Sequence, residues 1–181
     1  MKPLFTLLFL TSAFGLAAQA QMPSWQPKVD IQQTYTPHRA SSADPTGGNA
    51  DMRRIAPGAT LTVLDVDGPG TIAHIWFTIA DREPYHLKKL VLRLYWDGET
   101  NPSVEAPIGD FFGLGLGYYH RWQSEPLSVG SDKSLNCFFP MPFRHHARIT
   151  VTNEGKDRVD FAPLETAASR GPTDPRALLV A

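Results

Sequence analysis

The sequence predicts an all-β protein with an antiparallel sandwich or jelly-roll fold. Sixteen prolines and fourteen glycines in 181 residues supply many turns, and 42% of the residues are hydrophobic. About seven short segments either alternate apolar with polar residues or are continuously apolar, which is typical of strands. Past the N-terminal segment, no stretch shows three turns of helical periodicity. Strands are therefore expected to build the fold.

The first twenty residues have the pattern of a signal peptide. Lys2 is followed by a mainly apolar stretch from Leu4 to Leu16, and Ala18-Gln19-Ala20 has the small-x-small form of a cleavage site. The apolar stretch is shorter than the about twenty residues of a membrane-spanning helix. We therefore expect residues 1–20 to be removed, the mature protein to be secreted or periplasmic, and no stable insertion into a membrane.

The domain is expected to follow an extended arm. Residues 21–44 are polar and proline-containing, without a sustained period. In the domain itself, predicted to span residues 45–161, Thr60–Val66 alternates apolar with polar residues and leads into a Gly-Pro turn. Thr71–Ile79 is almost continuously apolar, which favours a central strand covered on both faces.

Later strand candidates are shorter and are separated by turns. Leu87–Trp96 alternates over its second half, and Asp97-Gly98 after it predicts a tight hairpin turn. Further strands are predicted at Leu127–Val129, Asn136–Pro140 and Ala147–Asn153. Pro140 and Pro142 limit the second of these to a sheet edge or a strand end.

The alternation ends near residue 161. Residues 162–181 are small, polar and broken by prolines, so an irregular tail is predicted there. Two explanations are open: a disordered tail, or an ending that is not native to this fold, as a frameshift or premature stop would produce. In the second case the sheet would lose its next strand and leave backbone groups unpaired.

Two carboxylates in one glycine-rich loop are the first candidates for chemistry. Glu105 and Asp110 are five positions apart and can converge on one ligand. Glycoside cleavage uses two carboxyl groups roughly 5–9 Å apart, one as acid and the other as nucleophile or base. The alternative is structural, with Asp110 capping a turn and Glu105 solvated. Because two acids on one loop are common, the sequence favours this alternative over a catalytic pair.

A second candidate lies in the loop after Gly47 and Gly48. Asn49 and Asp51 offer a short amide and a short carboxylate that can bind sugar hydroxyls. An Asx-turn, in which these side chains accept local backbone N–H groups, explains them equally well.

Aromatic residues are candidates for stacking on sugar rings. Trp76 lies in an apolar strand and is expected in the core. Tyr118, Tyr119 and Trp122 follow a glycine-rich loop and are expected at an exposed surface or a subunit contact.

Several classes of function are disfavoured. The net charge of −1 gives no basic field for a nucleic-acid partner. The six histidines show no metal-ligand spacing, and Cys137, the single cysteine, is expected to be a small buried hydrophobe. The sequence contains no nucleophile elbow and no phosphate-binding loop, so neither a metal nor another cofactor is predicted.

Five blocks of the sequence resemble glycoside hydrolase family 172, formerly called domain of unknown function 2961. The blocks are Gly47–Asp51 with Arg53–Ile55, Gly68–Phe77, Leu92–Gly98, Pro102–Gly113 and Leu135–Phe143. The resemblance implies the first half of a double jelly roll that assembles as a trimer or a larger homo-oligomer. It also implies retaining hydrolysis of α-fructofuranosyl or α-D-arabinofuranosyl substrates, so that a furanose-containing glycan is the expected partner.

The resemblance assigns no catalytic residue to this sequence. The family's two catalytic glutamates lie in a Trp-Gly-Glu-Gly-Asp-type segment and a Gly-Thr-x-Glu-Asp-Tyr-type segment, and neither appears here. We therefore expect a chain truncated before the catalytic half. What the resemblance carries over is a substrate-binding role for Asn49, Asp51, Glu105 and Asp110. The alternatives are a non-catalytic carbohydrate-binding module and a structural β-sandwich module.

Overall fold

The computed structural model describes residues 36–48 and 50–170, which form two antiparallel sheets and two single-turn helices. The elements are β1 (Thr36–Ala40), β2 (Arg53–Ile55), β3 (Thr60–Asp67), β4 (Gly70–Ala80), α1 (His86–Lys89), β5 (Leu90–Trp96), β6 (Val104–Pro107), α2 (Ile108–Phe111), β7 (Trp122–Gln123), β8 (Leu127–Val129), β9 (Leu135–Cys137), β10 (Met141–Phe143), β11 (His146–Asn153) and β12 (Val159–Arg170). The predicted signal peptide, most of the predicted arm, Asn49 and residues 171–181 lie outside the described residues.

The larger sheet is organised around β4. Its strand order is β1-β12-β4-β9-β8-β7, with β10 also pairing with β4 and β2 with β12. β4 has hydrogen-bonded neighbours along both edges, and the side chains of Ile72, Ile75 and Phe77 are fully buried. The prediction of a central strand at Thr71–Ile79 is confirmed.

The smaller sheet has the order β3-β11-β5-β6. Its central strands alternate as predicted: Leu92 and Leu94 of β5 are buried, whereas Arg93 and Tyr95 are only half-buried. Leu94 lies opposite Ile149 of β11, which is also buried, so the two strands present one apolar face together. The other face of this sheet carries the polar side chains.

The two sheets share one hydrophobic core. Phe77 of the larger sheet packs against Phe112, which follows α2, with ring centroids 6.0 Å apart, and against Phe161 of β12 at 4.9 Å. Leu92, Leu94 and Ile149 of the smaller sheet belong to the same cluster. The described part of the chain is therefore an all-β sandwich, as predicted. The jelly-roll connectivity and the double jelly roll stay predictions.

The turn after β5 has the predicted Asp-Gly form. Asp97 and Gly98 both have positive φ, 52° and 83°, as expected for a tight turn of this composition. The Asp97 carboxylate also accepts backbone N–H groups of Arg144, His145 and His146. These hydrogen bonds, that from His145 first, lower the pKa of Asp97 and attach the start of β11 to the hairpin.

The prediction that regular structure ends at residue 161 is wrong. β12 continues to Arg170, pairing with β4 on one edge and with β1 on the other. Two neighbours satisfy its backbone groups whatever the side-chain pattern, and the register shift between Pro163 and Glu165 falls where proline has no N–H to donate. The predicted arm also contains a strand, β1, which is the partner of this segment.

A buried carboxylate fastens the segment before α1 to the turn between β11 and β12. Glu83 accepts hydrogen bonds from Lys89 Nζ at 2.5 Å, from the Lys156 N–H at 2.8 Å and from the Asp157 N–H at 3.0 Å. The bond from Lys89 is the largest cause of a pKa lowered to about 2. Asn153, fully buried at the end of β11, donates to the carbonyls of Ile55 and Asp157.

Glu83→Gln is expected to destabilise the protein in a pH-dependent way. The pKa of Glu83 is lowered from 4.5 to about 2 on folding, so its stabilising effect is complete above pH 4.5 and is lost as the pH falls toward 2. Urea unfolding of parent and variant across this range measures it. The gap in unfolding free energy should be largest at neutral pH and shrink on acidification, and a pH-independent gap would contradict the assignment. Glu125→Gln, at an exposed carboxylate between β7 and β8, is the control.

Candidate functional site

Two short helices lie together at one end of the smaller sheet. α1 leads directly into β5, and α2 directly follows β6. Val91 at the start of β5 pairs with Pro107 at the end of β6, so both helices emerge at the same end. Leu87 and Ile108 anchor them in the core. Gly109 permits the close approach, because a Cβ atom there would lie 2.9 Å from that of Leu87.

This contact gives Asp110 a cationic partner. Lys88 Nζ lies 2.6 and 2.7 Å from the two carboxylate oxygens of Asp110 and donates a further hydrogen bond to the Gly115 carbonyl at 3.1 Å. Both side chains keep more than a third of their surface exposed. The pair is therefore ordered by the loop and still within reach of a ligand from solvent.

Two exposed tyrosines stand beside this ion pair. Tyr118 donates a hydrogen bond of 2.6 Å to the Tyr85 hydroxyl, and the ring centroids are 5.2 Å apart. This hydrogen bond is the main cause of a raised pKa at Tyr118. Gly117, directly before Tyr118, leaves room for this arrangement, because a Cβ atom there would lie 2.9 Å from Lys88 Cγ and 3.2 Å from Tyr85 Cδ1. We call Tyr85, Lys88, Asp110 and Tyr118 the α1–α2 surface.

The sequence neighbours of the two tyrosines, His86 and Tyr119, also contact each other. His86 Nε2 lies 3.4 Å from the Tyr119 hydroxyl, with the two rings 5.7 Å apart. Burial is the main cause of a strongly raised pKa at Tyr119, so its phenol stays neutral. Trp122 is half-buried and donates to the Phe112 carbonyl. The expectation of an exposed residue thus holds for Tyr118, whereas Tyr119 and Trp122 mainly support the loop.

Glu105 is not one of the residues of the α1–α2 surface. It sits on β6 opposite Arg93 of β5, and Arg93 Nε approaches its carboxylate to 2.6 Å. Arg93 also contacts Thr152 and Glu154, and the bond to Glu105 is the main cause of its raised pKa. Glu105 and Asp110 are therefore held by different cations, Arg93 and Lys88.

The carboxylate of Asp51 is engaged within its own loop. It accepts the Asp44 N–H at 2.7 Å. Asp44 in turn accepts from Thr46 and from the Ala50 N–H, and these bonds, that from the Thr46 hydroxyl first, lower its pKa. The bond from the Thr46 N–H, two residues further on, makes Asp44 the Asx-type residue of this loop, whereas Asp51 accepts an N–H seven positions earlier. Asn49 lies outside the described residues.

Two predictions about single residues have different outcomes. Cys137 is buried, and burial raises the pKa of its thiol to about 11, so the prediction of a buried hydrophobe is confirmed. Trp76 was predicted in the core, but it is half-buried on β4 and lies outside the core cluster. The reason is that it alternates with Ile75 and Phe77, whose side chains point to the core side of the strand.

In the part of the chain that the structure describes, no three His, Cys, Asp or Glu residues form a group suited to a metal ion.

The sequence did not single out Tyr85, Lys88 or Asp44. Lys88 and Asp110 are separated by 22 positions, and Tyr85 and Tyr118 by 33, so no short motif joins them. Tyr85 has an unusual left-handed backbone conformation, with a φ of 61° just before α1. This feature is visible only in the structure.

The fold and the surface define a β-sandwich that presents tyrosines and an ion pair from its loops, a combination suited to polyhydroxylated ligands. A family model described as GH172 domain-like matches residues 48–166. The chain therefore belongs to glycoside hydrolase family 172, and it is a carbohydrate-active protein. The match continues past residue 161 into β12, in agreement with the structure. Comparison with curated proteins gives no match.

The described residues contain no helix with the length and apolar character that crossing a bilayer requires.

Gly113→Ala should loosen the loop that carries Tyr118. Gly113 has a φ of +75°, and an added Cβ would lie 2.3 Å from Trp122 Cζ2. Strain and overpacking together are expected to cost about 1–3 kcal/mol of unfolding free energy, measurable by urea unfolding followed through tryptophan fluorescence. Gly115→Ala is the matched control, because nothing lies within 4 Å of the added atom. Equal stability of the two variants would contradict the packing described.

Proposed function

We propose that this chain forms the sugar-binding sandwich of a retaining furanosidase of the α-fructofuranosidase or α-D-arabinofuranosidase type. Neither of the family's two catalytic-glutamate segments occurs in residues 1–181, so this proposal gives the chain the binding role and not the bond-breaking step. The observation that carries the proposal is the α1–α2 surface, which lies within the segment that matches the family. The signal-peptide pattern of residues 1–20 supports a secreted or periplasmic location.

The α1–α2 surface has the two features that a sugar ring requires. Tyr85 and Tyr118 are 49% and 58% exposed, and their flat rings offer apolar area for stacking against C–H groups. Beside them, the carboxylate oxygens of Asp110 can accept further hydrogen bonds from sugar hydroxyls, while the three N–H donors of Lys88 hold Asp110 and the Gly115 carbonyl in place. Because Lys88 and Asp110 already hold each other, little ordering is needed when the sugar arrives.

Four carboxyl groups of the described residues are unsuited to act as the general acid of a glycosidase. A glycosidase's general acid needs a raised pKa so that it carries a proton near neutral pH. The pKa is instead lowered at four carboxyl groups, Asp44, Glu83, Asp97 and Asp132. Glu105 and Asp110 are each held at 2.6 Å by a cationic nitrogen, Arg93 Nε and Lys88 Nζ respectively. We therefore assign these two residues to ligand contact.

Tyr118→Ala and Asp110→Asn should weaken binding of an α-D-arabinofuranosyl or α-fructofuranosyl oligosaccharide. Each variant removes one contact, so we expect Kd to rise by about fivefold or more, the equivalent of about 1 kcal/mol. Isothermal titration of the full chain measures this, and Tyr118→Phe, which keeps the ring, should retain most of the affinity.

Glu125→Gln neutralises an exposed carboxylate elsewhere and is the control for Asp110→Asn. Parent-like affinity in both Tyr118→Ala and Asp110→Asn would contradict the proposed surface. Absence of binding by the parent at millimolar glycan would contradict the function itself and leave the structural-module alternative.

A role in assembly is the second candidate, because several large apolar side chains of the described residues are exposed. Leu116, two positions before Tyr118, is 80% exposed, and Phe138 and Phe139 are 40% and 45% exposed. Exposed apolar side chains of this size favour contact with another surface. We propose that the chain forms a homo-oligomer, a trimer or a larger assembly, and that Leu116 lies in the contact between subunits.

Leu116→Ser should shift the assembly toward smaller species. Removing the most exposed apolar side chain weakens hydrophobic association, so sedimentation velocity over a range of concentrations should show less oligomer than in the parent. Met52→Ser changes another exposed apolar residue, 43% exposed, and is the control. A parent that sediments as a monodisperse monomer would contradict the assembly proposal.

A further inference from the structure

A depression on the outer face of the smaller sheet forms a second polar site. Its volume is about 370 Å³, at the lower end of the roughly 300–1,000 Å³ of small-molecule sites. The residues that define it, which we call the sheet groove, are Asp65, Tyr95, Glu99, Thr100, His146 and Arg148. None of them belongs to the α1–α2 surface.

The strand register brings the centre of the groove together. Arg148 of β11 lies directly opposite Asp65 of β3 on one side and Tyr95 of β5 on the other. Directly opposed residues on one face of a sheet have neighbouring side chains. Three adjacent strands therefore contribute one residue each, and the turn after β5 adds Glu99 and Thr100 at the rim.

Two close contacts order these side chains without a ligand. The Arg148 guanidinium lies 4.2 Å from the centroid of the Tyr95 ring, so the two planar groups support each other. His146 Nε2 lies 2.6 Å from Asp65 Oδ1. Tyr95, His146 and Arg148 are half-buried, whereas Asp65, Glu99 and Thr100 are exposed. The groove thus has an ordered floor and an open rim.

The chemistry of the lining selects a neutral, hydroxyl-rich ligand. Asp65 and Glu99 supply acceptors, Arg148 supplies donors, and Tyr95 and Thr100 supply hydroxyls that do both. The Arg148 guanidinium lies beside the carboxylates of Asp65 and Glu99, so the groove presents charges of both signs and not the single sign that an anion or a cation would need. Sugar hydroxyls, each a donor and an acceptor, match this mixture beside an aromatic ring.

We propose that the sheet groove is a second subsite for the glycan bound at the α1–α2 surface. This inference rests on the proposed function for the identity of the ligand. β5 connects the two sites, since α1 precedes Leu90 and the groove is built around Tyr95 and the turn after Trp96. Its seven residues span roughly 20 Å. The Arg93–Glu105 pair lies between them on the outer face, which places Glu105 along the path of a longer oligosaccharide.

Isothermal titration of the full chain with an arabinofuranosyl or fructofuranosyl oligosaccharide tests the groove. The variants are Tyr95→Ala, Glu99→Gln and Thr100→Val, with Tyr118→Ala for the other site and Glu125→Gln as control. We expect each groove variant to raise Kd by about fivefold or more for a long oligosaccharide. For a methyl furanoside, we expect two binding events in the parent and one in Tyr95→Ala and in Tyr118→Ala. If Tyr95→Ala does not fold, the two rim variants decide the matter.

The outcomes separate the groove from the proposed function. Parent-like affinity and stoichiometry in all folded groove variants, with weaker binding in Tyr118→Ala, would overturn the groove and keep the α1–α2 surface. Weaker binding in the groove variants alone would contradict the α1–α2 surface, and with it the role of the groove as a second subsite. A parent that binds no furanoside at millimolar concentration would overturn both.

Discussion

The register of β5 is the constraint on which both candidate sites depend. Burial of Leu92 and Leu94 against the core turns Arg93 and Tyr95 to the outer face, and a slip of one residue would exchange the two sets. The same register sets where the strand begins and ends. α1 therefore meets α2 at one end, and the Asp97-Gly98 turn closes the groove at the other. A strand with an ordinary apolar pattern in this way positions two surfaces made from distant parts of the chain.

Ionised carboxylates hold the loops around this frame. Asp97 attaches the β5 turn to the start of β11, Glu83 attaches the α1 segment to the β11–β12 turn, and Asp44 closes the loop that precedes β2. In each case a hydrogen-bond donor is the main cause of a lowered pKa: the His145 N–H at Asp97, the Lys89 ammonium at Glu83 and the Thr46 hydroxyl at Asp44. The anion is therefore the stable form of these groups near neutral pH. These groups give rigidity to the surfaces that would meet a sugar, and they are poorly suited to deliver a proton to a leaving group.

The sequence predicted the elements whose patterns are local. The apolar run of β4, the alternation of β5 and β11 and the Asp-Gly turn each follow from burial or backbone preference within a few residues. β12 was missed because its pairing with β4 and β1, and not its own alternation, makes it a strand. The α1–α2 surface was half predicted: Asp110 and Tyr118 stood out in a glycine-rich loop, whereas Lys88 and Tyr85 join them only through the fold. The family resemblance, carried by several blocks in order, is confirmed by the match over residues 48–166.

The central claim is that this sandwich itself provides the furanose-binding surface. Backbone amide chemical shifts, followed by NMR as an arabinofuranosyl or fructofuranosyl oligosaccharide is added to the full chain, test it most directly. The account predicts saturable shift changes clustered at residues 85–88, 109–111 and 115–118. Unchanged shifts at these amides, or changes confined to the larger sheet, would contradict it.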